Sequence, residues 1–377
     1  MRILVLNHEY PPVGGGGGKA CQDIAFELAD RGHEIKLLTS HFKGLPRDED
    51  HPNLQIIRLP VLRQSLSRAG LVTMKVYILS SIFKGYQLMK SWKPDIIHVH
   101  FAVPAGAAAY LLHRLMGIPY VITAHLGDIP GGSPQKTDRW FRVIYPFTRP
   151  IWRSAAAITT VSSFTASLIK EHYAVTPQVI PNGIAIRESL LLTTHQPPVI
   201  VFAGRFVEQK NLGAIMDVLE SIRHLPWSCV MLGDGPLHDQ VAARIAKVGM
   251  KDRFSLPGWV NPEEVKNAME KSDILFMPSL YEGLPVAGVQ ALQSGLAIVA
   301  SAIGGFQDLV EHGKNGFLCS PTDARELSEK LTLFLTDREE LMRAKNHSLE
   351  VAKKFDIQKV ADQYESVLLS AINQPLK

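Results

Sequence analysis

Two kinds of apolar pattern alternate along this chain. Residues 2–6, 34–39, 95–99, 119–123 and 157–161 are short apolar runs, and their length predicts buried strands. Between them, over residues 19–31, 64–92, 104–116 and 163–173, apolar positions recur at helical spacing, and Gly32 and Gly117 stand where two of these helices stop. The alternation pauses over residues 184–198, which are polar, proline-containing and without a period. It restarts with strands near Val199, Ser228, Phe254, Ile274 and Ala297 and a helix over 286–294, closed by Gly295. Residues 356–369 predict a final amphipathic helix. Two successive runs of β–α units predict an α/β protein with two doubly wound parallel sheets. The length of 377 residues also calls for two domains. Residues 43–60 read as irregular, and Asp48-Glu49-Asp50 reads as solvated loop rather than a metal site, because no strand precedes it.

Composition narrows the class. Hydrophobic content of 46% with 20% charged residues describes a soluble protein with large cores. The three cysteines, Cys21, Cys229 and Cys319, show neither metal spacing nor a disulfide framework, which points to a reducing cytosol. The N-terminal apolar run is too short for a signal peptide, and no stretch approaches the roughly 20 apolar residues that span a bilayer. The net charge of +4 is unevenly spread: up to Leu190 there are 21 Lys and Arg against 13 Asp and Glu, and beyond it 19 against 23. A basic first half suits an anionic partner such as a membrane surface, a lipid phosphate or an acidic glycan, and ordinary solubility accounts for it equally. The helix at 64–92 places apolar residues among Arg63, Arg68, Lys75, Lys84, Lys90 and Lys93. Residues 139–153 mix Trp140, Tyr145 and Trp152 with four arginines. Both stretches suit a bilayer interface or packing on their own domain.

Chemistry concentrates at predicted strand ends. After the first strand comes a loop with five consecutive glycines, Gly14 to Gly18, which a ligand can approach closely. A dinucleotide fingerprint is excluded: Lys19 stands where the third glycine belongs, and no acidic residue closes the second strand. A P-loop is excluded by Val13 and Ala20. His98 and His100 share a strand face but have no further zinc ligands nearby. His125 lies just past a parallel strand, where open α/β sheets bind ligands, or is a capping histidine. In the second half, Arg205 and Lys210 flank a turn after a strand and can embrace a diphosphate. Glu282-Gly283-Leu284-Pro285 follows another strand and precedes a helix whose free N–H groups suit a phosphate or sugar hydroxyls; a plain turn with a solvated Glu is the alternative.

These pieces occur in a definite order: the glycine-rich loop, Asp95 to His100, Thr123-Ala124-His125, Thr160 to Ser163, Ile180-Pro181-Asn182-Gly183, Gly204-Arg205 with Lys210, Leu232 to Pro236, Glu282 to Pro285, and Gly304-Gly305 before Gly313. Together they resemble the retaining glycosyltransferases of family 4 over nearly the whole chain. The resemblance implies the GT-B fold: two Rossmann-like doubly wound parallel-sheet domains facing a central cleft. Residues 1–186 would be the acceptor-side domain, joined by a C-terminal helix (357–377) that crosses back, and 187–356 the nucleotide-sugar domain. It implies that Arg205 and Lys210 neutralise the diphosphate, Glu282 holds sugar hydroxyls, and His125 faces the donor sugar and its phosphate. Gly16, Gly17, Gly204, Gly233, Val260, Gly283, Leu284, Pro285, Val286 and Gln290 would line the donor, with Asp128 on the acceptor side. The implied partners are a nucleotide sugar, UDP-linked first and GDP-linked second, and a glycan, lipid-linked or small-molecule hydroxyl acceptor; the expected place is the cytoplasm, with the inner face of a membrane as the option that the basic first half leaves open. No metal, other cofactor or nucleic acid is implied.

Two positions depart from the family pattern. Gln290 stands where a second Glu usually grips the ribose, and it keeps a hydrogen-bonding carbonyl but no charge. Ala185 replaces an Asp that often follows Pro181-Asn182-Gly183. The alternatives are another enzyme on the same fold, such as a nucleotide-sugar epimerase, for which no set of acid–base carboxylates is visible, and a non-catalytic nucleotide-sugar binder.

Overall fold

A computed structural model describes the chain except residues 67–68, 187–191 and 375–377, and describes residues 134–140 by their backbone only. The chain forms two compact units, residues 1–183 with 357–377, and residues 184–356.

The first unit runs β1 (Arg2–Leu6), α1 (Gly16–Asp30), β2 (Glu34–Ser40), β3 (Asp48–His51), β4 (Leu54–Leu59), α2 (Leu71–Ser91), β5 (Ile96–His100), α3 (Ala105–Met116), β6 (Tyr120–Ala124), α4 (Pro134–Arg153), β7 (Ala157–Thr160), α5 (Ser163–Tyr173) and β8 (Gln178–Val179). The sheet order is β3-β4-β2-β1-β5-β6-β7-β8, parallel except for β3. Strands β5 and β6 are buried at every position, because helices cover both faces of the sheet. One face carries α2, α3, α4 and α5, with Tyr77, Leu112 and Trp152 in its core.

The other face carries α1 and the last helix of the chain, here α13 (Ile357–Ile372), which returns to this unit. Its Val360, Tyr364, Val367, Leu368 and Ala371 form the buried stripe that the helical spacing predicts. Arg31 at the end of α1 fastens it, donating to Asp362 at 2.6 Å and to the Gln358 carbonyl at 2.8 Å.

Two local expectations are corrected. Residues 48–51 and 54–59, within the stretch read as irregular, are strands: Asn53, at φ 57°, turns the chain so that charged β3 pairs antiparallel with apolar β4. A short charged strand is a common way to blunt a sheet edge. The helix expected from residue 64 begins at Leu71, because Arg63 holds the preceding segment against the carbonyls of Ser65 and Leu66. Arg68, counted above among that helix's cations, lies outside the described residues.

The second unit runs β9 (Val199–Ala203), α6 (Leu212–Ser221), β10 (Ser228–Leu232), α7 (His238–Lys247), β11 (Phe254–Gly258), α8 (Pro262–Glu270), β12 (Ile274–Met277), α9 (Val286–Gln293), β13 (Ala297–Ser301), α10 (Phe306–Leu309), β14 (Gly316–Cys319), α11 (Ala324–Thr336) and α12 (Arg338–Ala352). All its strands are parallel, in the order β11-β10-β9-β12-β13-β14. The chain builds outward from β9 in one direction and then from β12 in the other. The order therefore reverses between β9 and β12, and a crevice opens at their carboxyl ends. Helix starts are capped as their sequences dictate: Asn261 and Glu264 form a reciprocal capping box, and Asp323 and Asp337 accept from the third residue of α11 and α12.

The opposite, amino end of β12 is locked by a buried ion pair. Asp273 is fully buried; it accepts from Lys345 Nζ of α12 at 2.8 Å, from the Val199 amide at 2.9 Å and from His195 Nδ1 at 3.0 Å. Lys345→Met leaves that carboxylate in the core without its lysine, so stability should fall by about 3 kcal/mol. Urea unfolding of the two proteins measures this, and an unchanged midpoint would remove α12 as the anchor of the strand.

Candidate functional site

In the second unit the site is built where the strand order reverses. Beyond β9 the chain passes Gly204, Arg205 and Phe206, makes a short 3-10 turn at Glu208–Lys210, and enters α6 through Asn211 in the left-handed region. Beyond β12, residues 278–285 lead into α9, whose start is set by Pro285. Because β9 and β12 are hydrogen-bonded neighbours, these two loops lie side by side. They are zipped together: the Leu280 amide donates to the Gln209 carbonyl at 2.8 Å, and Gln209 Nε2 donates to the Tyr281 carbonyl at 2.9 Å. At the end of the zip, Lys210 Nζ donates to Glu282 Oε1 at 2.6 Å. Only 12% and 7% of these two side chains are exposed, so the pair is screened far less than a surface one.

Bare backbone surrounds this pair. A Cβ on Gly204 would meet Lys210 Cε at 3.0 Å, so the lysine stem lies across that glycine. Gly233, after β10, presses on Gly204: a Cβ there would fall 2.0 Å from the Gly204 oxygen. After β13, a Cβ on Gly304 would fall 2.0 Å from the Glu282 oxygen, and one on Gly305 1.8 Å from the Gly283 oxygen. Leu284 and Pro285 are buried between Glu282 and the start of α9, where Val286 begins the helix. Arg205 is half-buried beside the loop, and its charge opposes the burial and the Glu282 and Glu208 charges that together raise the Tyr281 phenol above its usual value.

Lys210, Glu282, Gly204, Gly233, Gly283, Leu284, Pro285 and Val286 are thus brought to one place. Gln290 stands one turn further along α9 and is partly exposed. Val260 follows the edge strand β11; Gly258, two residues before it, accepts the Gly233 amide at 2.9 Å. The pairing of Gln209 with Leu280 and Tyr281 has no signature in the sequence, because it uses main-chain groups and one ordinary amide side chain. Gly304 and Gly305 stand just past an apolar run, where a glycine pair is a local sign of close backbone approach.

In the first unit the strand order reverses between β1 and β5. The glycine-rich loop after β1 is fixed by Glu9, whose Oε2 accepts the Gly15 amide at 3.1 Å, and by Leu66, whose carbonyl accepts the Gly14 amide at 2.7 Å. Gly16 opens α1 and is exposed. Gly17 faces Phe101 and His125: a Cβ would meet the Phe101 ring at 2.4 Å and the His125 ring at 3.4 Å. Asp128 is buried and points inward. Its carboxylate accepts the amides of Ala102 at 2.7 Å and of His125 and Leu126 at 3.1 Å, while burial raises its pKa. It clamps the loop that carries His125.

Behind His125 stands a row of histidines. His100 Nδ1 lies 3.1 Å from His125 Nε2 with the two rings stacked, and His98 packs at a tilt on His100 with ring centres 4.5 Å apart. His98 Nε2 lies 2.8 Å from Thr123 Oγ1, and its ring packs against Tyr364 of α13. Burial holds all three rings neutral: His98 falls to about 3, His125 to about 4, and His100 well below the usual value. Neutral rings can each donate and accept one hydrogen bond. Among the described residues, no three His, Cys, Asp or Glu side chains are grouped to hold a metal ion.

The family model for glycosyl transferases group 1 matches residues 187–350, and that for glycosyltransferase family 4 matches residues 14–188. The chain is 28% identical over 343 residues to a 2-deoxystreptamine glucosyltransferase of Streptomyces kanamyceticus, covering 82% of this chain and 87% of that one. Its fold is similar to a sucrose-phosphate synthase from Thermosynechococcus elongatus, with a TM-score of 0.82 at 19% identity over 97% of this chain and 98% of the other. It is also similar to Anabaena HepE, solved in complex with UDP-glucose, with a TM-score of 0.76 at 19% identity over 98% of this chain and all of the other.

Two measurements probe these loops. Gly233→Ala combines a positive φ of 131° with a collision against backbone, and should cost about 3 kcal/mol. Gly249→Ala, at φ 72° in open space, should cost only about 1 kcal/mol; equal losses would mean that the Gly204 contact is loose. The histidine row also sets a pH dependence. Unfolded histidines take up protons near pH 6.5 and the folded ones do not. Their contribution is therefore complete above pH 6.5 and is lost as pH falls from 6.5 towards 4, by up to about 1.4 kcal/mol per pH unit for each ring. Urea unfolding at pH 7.5, 6 and 5 should show that slope, and His98→Gln should make it shallower.

Proposed function

The chain belongs to the glycosyltransferases of family 4, and from that premise we propose that it moves a sugar from a nucleoside-diphosphate sugar to a hydroxyl acceptor with retention at the anomeric carbon. The observation that carries this reading is the Lys210–Glu282 contact, held against bare glycine backbone at the point where the second sheet reverses, with Arg205 beside it and a helix start behind. A sugar diphosphate needs cations at one end and a hydrogen-bond acceptor for hydroxyls at the other. Lys210 and Arg205 supply the first and Glu282 the second.

The reaction breaks the bond from the anomeric carbon to the diphosphate and forms one to the acceptor oxygen. The leaving phosphate oxygen takes the acceptor proton. The work of the protein is to neutralise charge growing on the diphosphate and to align the two oxygens, with Arg205 and Lys210 in the place a metal ion takes elsewhere. UDP is the favoured carrier, supported by the UDP-glucose held in HepE, and GDP is second. His125 is the first unit's candidate for the sugar-phosphate end; as a neutral ring it would donate a hydrogen bond rather than a charge. Gln290 would meet the ribose as an uncharged partner. The acceptor is a glycan, a lipid-linked sugar or a small molecule bearing a free hydroxyl.

Thermal unfolding with UDP, GDP, ADP and NAD tests the donor site. A nucleotide at about 100 times its Kd adds about 2.7 kcal/mol, and Arg205→Ala should lose that gain. Glu282→Gln, which keeps shape and removes charge, should lower transfer about 100-fold and also lower stability by about 1–3 kcal/mol, because the mostly buried Lys210 loses its charged partner. Stabilisation by NAD alone, or a product of inverted anomeric configuration by NMR, would overturn the corresponding part of the reading.

A further inference from the structure

Three neighbouring helices of the first unit turn an unusual surface outward. The solvent-facing row of α2 is Val72, Lys75, Leu79, Phe83, Tyr86 and Lys90, spaced at three- and four-residue steps along one side of the helix. Leu79 and Phe83 are each 68% exposed. On α3 the outward residues include Leu111, Arg114 and Leu115. On α4 they include Val143 and Phe147, 68% and 76% exposed, flanked by Arg142, Arg149 and Arg153. These helices lie in one layer on one face of the sheet, with their inner rows in a common core. The outer row of a surface helix is normally polar. Here it is apolar and cationic on three helices in succession.

Charge decides what covers this face. By sequence, α2 has three lysines, α3 one arginine, and α4 a lysine and four arginines; Asp138 is the sole acidic residue of all three helices. A second copy of the chain would bring like charges together. We propose that this face lies on an anionic lipid bilayer, with Leu79, Phe83 and Phe147 entering the acyl boundary and the lysines and arginines reaching lipid phosphates. Long cationic stems over aromatic rings fit that depth, and Lys90 Nζ already stands 4.6 Å from the Tyr86 ring centre. No helix among the described residues is long and apolar enough to cross a membrane, so the contact is with one leaflet. The inference stands on this surface alone, whichever sugar and acceptor the enzyme uses.

Co-sedimentation of the full chain with vesicles tests it. The protein should bind vesicles of phosphatidylcholine mixed with phosphatidylglycerol, bind phosphatidylcholine alone at least tenfold more weakly, and release as salt is raised. Phe83→Ser with Phe147→Ser should weaken binding to the mixed vesicles about tenfold or more. Each of Lys75→Gln and Arg149→Gln should weaken it about fivefold. The melting temperature should stay within a degree or two in every variant, because all these side chains point outward. No binding to either vesicle, equal binding to both, or full binding by the phenylalanine variant would overturn the proposal. So would a gel-filtration dimer that the phenylalanine variant abolishes, since the face would then join two copies.

Discussion

The close approach of backbone to backbone in the second unit is the constraint on which the rest of its site depends. Gly233 lies on Gly204, and Gly304 and Gly305 lie on Glu282 and Gly283, at separations that no Cβ could share. Loops from β9, β10, β12 and β13 can therefore converge at one strand end, and main-chain hydrogen bonds rather than side-chain packing hold them. The result is a rigid frame with little side-chain volume, in which the few chemical groups present, Arg205, Lys210 and Glu282, meet a ligand from fixed positions. The Lys210–Glu282 pair is a product of this frame. Each residue partly neutralises the other, so two opposite charges can sit in a mostly buried place.

The first unit solves a similar problem by different means. Its glycine-rich loop is anchored through Glu9 and Leu66, and the loop carrying His125 through the buried Asp128. Asp128 is thus occupied three times over by main-chain amides, and Ala102 is tied through it to His125 and Leu126. The histidines behind are kept neutral by burial, which turns them from charges into oriented hydrogen-bonding groups. Tyr364 brings α13 into this row, packing on His98, which in turn packs on the His100 ring behind His125.

Asp273 and Asp128 make a common point about carboxylates in this fold. Both are buried near strand ends and both are satisfied by amides, yet one also takes a lysine and the other none. The difference follows from where their neighbours come from. Asp273 faces α12, which sends a long cationic side chain inward, whereas Asp128 takes the main-chain amides of Ala102, His125 and Leu126.

Much of the fold was legible in the chain itself, for a definite reason. Parallel strands covered on both faces must be apolar along their length, so they stand out as short runs between helical stretches, and a doubly wound architecture follows from their alternation. Loops that approach a ligand or one another closely must be glycine-rich, so their positions are legible too. Residues 48–51 escaped this logic because an edge strand paired by backbone alone can be wholly charged. The start of α2 escaped it because a buried arginine eight residues upstream binds the carbonyls of Ser65 and Leu66, and no local preference encodes that. What only the tertiary structure decided is adjacency. That β9 pairs with β12 brings Lys210 to Glu282 across 72 positions of sequence, and that β5 pairs with β6 brings His100 to His125. Which strands become neighbours is set by crossover connections and by the burial of whole helices, and these are sums over many residues that no single motif records.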